Sequence, residues 1–163
     1  MRVLTVRQPW AWAIVNADKD VENRPRNIAG SYRGPVAIHA GKGWAREGEL
    51  DQRVLSAWRV FRNDAPFPNV VGVLNKNALH LDFGAIIGVA DLVGVHESSA
   101  NGCGTGEGFG TVVPQCSEWA QPWSHHLVLA NPRPLRKAIP YLGALGLRTL
   151  DPAVEALITE QLR

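Results

Sequence analysis

The sequence predicts an α+β fold, a single domain over residues 1–163 built as a small closed or partly closed β-barrel with flanking helices. Three observations carry this. Short apolar runs bounded by turn residues recur along the chain, helix signals are confined to three places, and glycines mark bends inside the longest apolar run. Val3 to Val6 opens as a strand. Pro9 suits the first turn of a helix, in which Trp10, Ala13 and Ile14 recur at helical spacing. Asp20 to Asn23 reads as extended, and Arg24-Pro25 ends it, because the residue before proline avoids helical geometry. After a turn at Tyr32-Arg33-Gly34-Pro35, Val36 to Ala40 forms a compact strand with Val36 and Ile38 facing one side and Ala37 and His39 the other.

A helix is predicted from about Glu47 to Arg62, with Leu50, Val54, Leu55, Trp58 and Phe61 as its apolar stripe and Trp58 in the core. Residues 63–77, with Pro66 and Pro68, are expected to be loop. Ala85 to Val95 is a β-branched run broken by Gly88 and Gly94, as in a buried strand that bends. Residues 101–110 alternate glycine with other residues. They fail both G-x-G-x-x-G and Walker spacing, since Glu107, Phe109 and Thr111 stand where glycine is required, so a mobile surface loop or lid is expected. His125 to Ala130 is a strand. Asn131-Pro132-Arg133-Pro134-Leu135 is expected to leave any central ladder, because its two prolines lack donors. Residues 140–147 read as short strand and turn. Asp151 then caps a terminal helix with Pro152 at its first position.

Composition is ordinary for a soluble globular domain, with 45% hydrophobic and 20% charged residues. The net charge of +2 says little, but its distribution is uneven. Residues 1–62 hold 11 Lys/Arg against 6 Asp/Glu, whereas residues 63–132 hold Lys76 alone against 6 acids. Such asymmetry concentrates field on one face and steers a polyanion to it, or else marks two differently solvated faces. The basic cluster comprises Lys19, Arg24, Arg26, Arg33 and Lys42. Cys103 and Cys116 form no C-x-x-C pair, and their spacing matches no structural zinc motif, so no metal ligands are assigned. With no secretory segment and no apolar run of about 18–20 residues, a cytoplasmic, membrane-free protein is the expectation.

The chemistry concentrates in Arg7-Gln8-Pro9-Trp10-Ala11-Trp12 and Lys19-Asp20-Val21-Glu22-Asn23-Arg24. Aromatic faces beside forked and point-like cations are what a cleft needs to hold a base and a phosphate. Lys19 and Arg24 either hold phosphate or a ring carbonyl, or pair with Glu22 or Asp20 on the surface. Glu22 either acts as a general base or orients Lys19. If Lys19 is buried beside Arg24, its pKa falls. Trp10 and Trp12 cannot share one helical face, so they cannot both face the core. His39 and Lys42 border the turn after their strand, either in the cleft or in a capping role. His125 and His126 face opposite sides of a strand, so at most one lines a site. Asp91, inside an apolar run, needs a partner, an arginine rather than a metal.

These segments, with Gly34–Ala40, Gly84–Val93, His126–Leu135 and Gly143–Leu147 in the same order, resemble the ASCH domain family of the PUA-like superfamily. The resemblance implies a PUA-type β-barrel with a cleft beside Lys-x-x-Glu-x-Arg, and a protein that binds RNA, single-stranded by preference, or a nucleotide. Trp10, Lys19, Arg24, Arg26, His39 and Lys42 would be its binding residues, the family position turning Trp10 to the cleft and leaving Trp12 to pack. One branch of the family hydrolyses an acetylated cytidine with a lysine, a threonine and a glutamate. Lys19 matches that lysine, but Glu22 stands at the threonine position. Other members are assigned ribonuclease activity, for which a divalent cation would serve. The expectation is therefore RNA or nucleotide binding with Lys19 and Glu22 as candidate hydrolytic groups. An amidohydrolase on a modified nucleoside is the alternative, and an interaction module in a transcription or translation complex is the third reading.

Overall fold

A computed structural model describes residues 1–61, 81–103 and 114–163. The predicted loop at 63–77 and the glycine-alternating residues from 104 to 110 lie outside the described residues. The elements are β1 (Arg2–Gln8), α1 (Trp10–Asn16), β2 (Val21–Arg24), β3 (Gly34–Trp44), a 3-10 turn (Arg46–Gly48), α2 (Gln52–Phe61), β4 (Ala85–Glu97), β5 (His125–Pro140), β6 (Leu147–Thr149) and α3 (Pro152–Gln161).

The fold is α+β. Six strands form one mixed sheet in the order β2-β5-β4-β3-β1-β6, parallel between β1 and β3 and antiparallel elsewhere. Its edges are β2 and β6, and no ladder joins them among the described residues. The central strands are covered on both faces, which is why they read as near-continuous apolar runs. Leu4, Val36, Ile38, Ala90 and Leu92 pack under Ala11, Ile14 and Val15 of α1. Their neighbours Val3, Ala37 and Val89 point the other way, towards Leu150 and Ile158 beside and within α3. A third cluster joins Trp12 and Ala13 to Val54, Leu55 and Trp58 of α2.

One expectation needs correction. The helix predicted from Glu47 begins instead at Gln52, after a separate 3-10 turn. The Asp51 carboxylate accepts the N–H groups of Arg53 (2.9 Å) and Val54 (3.4 Å), the bonds of a residue heading a helix. Leu50 lies outside the stripe, 64% exposed, whereas Trp58 and Phe61 close on Trp12 with ring centroids 4.9 and 5.6 Å from it. Asn131–Leu135 stays in β5 but, as its two prolines require, not in a central ladder. β2 pairs only with residues 125–128, so beyond them β5 has a strand neighbour on one side alone. Asn131 and Pro132 fall in a bulge between the Asp91–Ala130 and Val89–Arg133 pairs, where Asn131 takes φ 50°. Edges and bulges are where strands tolerate proline.

The Asp151 carboxylate caps α3 through the Ala153 N–H at 2.8 Å, as expected from sequence. Helix α1 approaches the sheet over Gly88, where a Cβ would stand 2.7 Å from Val15 Cγ2 and 2.9 Å from the Arg133 carbonyl oxygen. Gly88→Ala should therefore destabilise by about 1–3 kcal/mol, because neither the helix nor a strand backbone can yield cheaply. In urea titration the midpoint should fall at an unchanged m-value; a midpoint equal to wild type would refute this packing.

Candidate functional site

The chain leaves α1 through Asp18, held at φ 51°, and Lys19 N–H reaches back to the Ala13 carbonyl at 3.1 Å. This turn starts β2. Strand alternation then sends Val21 into the core and sets Glu22 and Arg24 together on the opposite face.

Lys19 is 4% exposed and Glu22 8%. Lys19 Nζ donates to the Val21 carbonyl and lies 3.6 Å from Glu22 Oε2. Arg24 Nη2 sits 3.1 Å from Glu22 Oε1 and donates to the Thr5 carbonyl at 2.6 Å. The ammonium also stands 5.7 Å from the ring centroids of both Trp10 and Trp119. Burial pushes the Lys19 pKa below the ordinary lysine value; Glu22 opposes the shift and Arg53 adds to it. Desolvation outweighs the single carboxylate.

The cleft above this network has a volume of about 450 Å³. Trp10 and Trp119 meet edge to face at 6.3 Å, and the Arg53 guanidinium lies 4.0 Å over the Trp119 ring. Trp119 is held by Asn23, whose Nδ2 donates to its carbonyl at 2.8 Å and whose Oδ1 accepts Gln121 N–H at 2.9 Å. Arg7, Lys19, Arg24 and Arg53 line the cleft against Glu22 and Glu47, an excess of positive charge.

The structure thus brings together Trp10, Lys19, Glu22 and Arg24, while Trp12 is buried. Arg26 and Lys42 are exposed and do not line the cleft. His39 is not in the cleft either: it is buried, with Nδ1 3.2 Å from Thr5 Oγ1 and Nε2 3.0 Å from the Tyr141 carbonyl, and burial lowers its pKa. Asp91 has an arginine partner, Arg133, and accepts from Asn131 Nδ2 at 3.0 Å. Arg7, inside the segment the sequence singles out, also lines the cleft, and Arg53 and Trp119 join it without being singled out. Arg53 falls on the polar side of an amphipathic helix, and Trp119 lies in a stretch without periodicity, so neither carries a local signal. No family model and no curated protein matches the chain.

The charge network makes a prediction with a definite sign. Glu22→Gln removes the carboxylate that supports the ammonium, so the Lys19 pKa should fall further, read from its Cε and Nζ resonances across a pH titration. Linkage follows. Between the folded pKa of Lys19 and 10.5 the unfolded chain binds the extra proton, so stability should rise with pH across that window. Lys19→Met should lose this alkaline gain relative to wild type in paired denaturation series. A Lys19 resonance titrating at or above the ordinary lysine value would refute the assignment.

Proposed function

We propose that this chain is an ASCH-type, PUA-like protein that binds RNA or a nucleotide, one base at a time, in the cleft over Lys19. The sheet would be the PUA-type barrel wall that carries this cleft. The observation behind the proposal is the buried Lys19 ammonium, held between Trp10 and Trp119 and tied to Glu22 and Arg24 beneath a cavity of about 450 Å³. That volume is in the range of small-molecule sites, roughly 300–1,000 Å³. Trp10 offers a stacking surface, and Arg53, already laid on Trp119, offers a planar donor fork. The cationic excess suits a phosphate.

Tryptophan fluorescence should be quenched on titration with single-stranded RNA or nucleoside monophosphates. Trp10→Ala should weaken binding by about 1–3 kcal/mol, the usual worth of one base–aromatic stack. Lys19→Ala with Arg24→Ala should weaken it too and, for a polymer, flatten the salt dependence, because fewer counterions are released. Binding indifferent to all three changes, or no binding at low salt, would refute the reading.

The lowered pKa of Lys19 beside Glu22 favours a second reading, hydrolysis of an acylated nucleoside. Water would add to the acyl carbon, the carbon–nitrogen bond would break, and Lys19 and Glu22 would pass the water's proton to the departing amine. General acid–base help is worth about 10²–10⁴-fold, so Lys19→Ala and Glu22→Gln should each lose turnover on that scale. Assays on acylated cytidine and on RNA, with and without Mg²⁺ or Mn²⁺, separate amidohydrolase from ribonuclease. Absence of product in every arm leaves binding alone.

A further inference from the structure

The register of β4 and β5 places His96 directly opposite His126, and the segment after β4 returns Cys103 and Cys116 to the same point. His126 is fully buried. Its Nε2 lies 2.7 Å from the Gln121 carbonyl, so that nitrogen carries the proton and Nδ1 presents its lone pair. Onto this one lone pair converge Cys103 Sγ at 3.2 Å, Cys116 Sγ at 3.3 Å and His96 Nε2 at 3.3 Å. A single in-plane lone pair cannot serve three donors in three directions. A cation at their centre can serve all four groups.

We propose that His96, Cys103, Cys116 and His126 bind one structural Zn²⁺. The spacing of the donor atoms fits. Zinc–sulfur bonds of about 2.3 Å and zinc–nitrogen bonds of about 2.0–2.1 Å at tetrahedral angles separate two nitrogens by about 3.3 Å and sulfur from nitrogen by about 3.6 Å. The two nitrogens here are 3.3 Å apart, the sulfurs stand 3.2 and 3.3 Å from His126 Nδ1 and would move outward by about 0.3–0.4 Å on binding, and all four donor atoms lie within 4.8 Å of one another. Two thiolates with two imidazoles are a borderline-soft set that suits zinc, and four protein ligands close the coordination shell, as structural rather than catalytic zinc requires. The surroundings fit as well. The Gln121 carbonyl fixes the His126 tautomer, and Cys116 N–H points to Cys103 Sγ at 3.3 Å, the hydrogen bond a thiolate ligand accepts. The Gln115 carboxamide, with Oε1 3.2 Å from Cys103 Sγ, would turn its amino group to the thiolate. Binding releases two thiol protons and leaves a neutral centre.

The metal would also tie the segment holding Trp119 and Gln121 to the β4–β5 pair, whatever the cleft binds. Protein purified under reducing conditions without chelator should contain about one zinc per chain by elemental mass spectrometry. Cys116→Ser and His96→Gln should each reduce that to near zero. Independently of any variant, Co²⁺ added to metal-stripped wild type should give the thiolate charge-transfer band and the intense visible bands of a tetrahedral site. Stripping the metal should lower the melting temperature, and Zn²⁺ should restore it, because metal binding and folding are coupled. Three results would overturn the proposal: a Cys103–Cys116 disulfide in protein kept reduced, zinc retained by both variants, or stripped wild type that takes up neither Zn²⁺ nor Co²⁺.

Discussion

The ammonium of Lys19, 4% exposed, is the constraint on which the cleft depends. Removing a charge from water costs several kcal/mol, and the cost is offset only where geometry supplies partners. The Val21 carbonyl, the Glu22 carboxylate and the two indole rings supply them, each from a different piece of local structure. The turn at Asp18 aims the side chain, the alternation of β2 delivers Glu22 and Arg24, and the start of α1 delivers Trp10. Glu22 is shared between Lys19 and Arg24, so neither cation has it wholly. Burial remains the larger influence on Lys19, with Glu22 opposing it.

The sheet makes this arrangement rigid. Helix α1 lies on β1, β3 and β4 through Ile14 and Val15, so the Trp10 end of the helix has little freedom to move. Arg24 reaches across to the Thr5 carbonyl of β1, linking the edge strand β2 to the far half of the sheet without a ladder between them. The opposite wall is different. Trp119 sits outside regular structure and is held by polar contacts: Asn23 on two backbone groups, Ser117 on Asp20, and Arg53 on the ring and on the Glu118 carbonyl. These bonds add to the packing of the Trp119 ring against Trp10 and the Trp12–Val54 cluster, and the His/Cys cluster would anchor the same segment through Cys116.

By itself the sequence determined the α+β class, the strands with apolar runs, the capped terminal helix, and the grouping of Lys19, Glu22 and Arg24. All of these are local. Alternation in β2 sets Glu22 and Arg24 on one face, and Asp151-Pro152 caps a helix wherever it is packed. Only the tertiary structure decided the rest. It carried β5 through Pro132 and Pro134, because strand pairing leaves that stretch an edge with a bulge, which no window of sequence reveals. It took His39 out of the cleft, because the Tyr141 carbonyl and Thr5, remote in the chain, claim both ring nitrogens. It brought Arg53 and Trp119 into the cleft and set His96 beside His126, because cross-strand register and loop return are long-range pairings. Local periodicity reports which face a residue takes. It does not report which distant residue meets it there, and a site is made of those meetings.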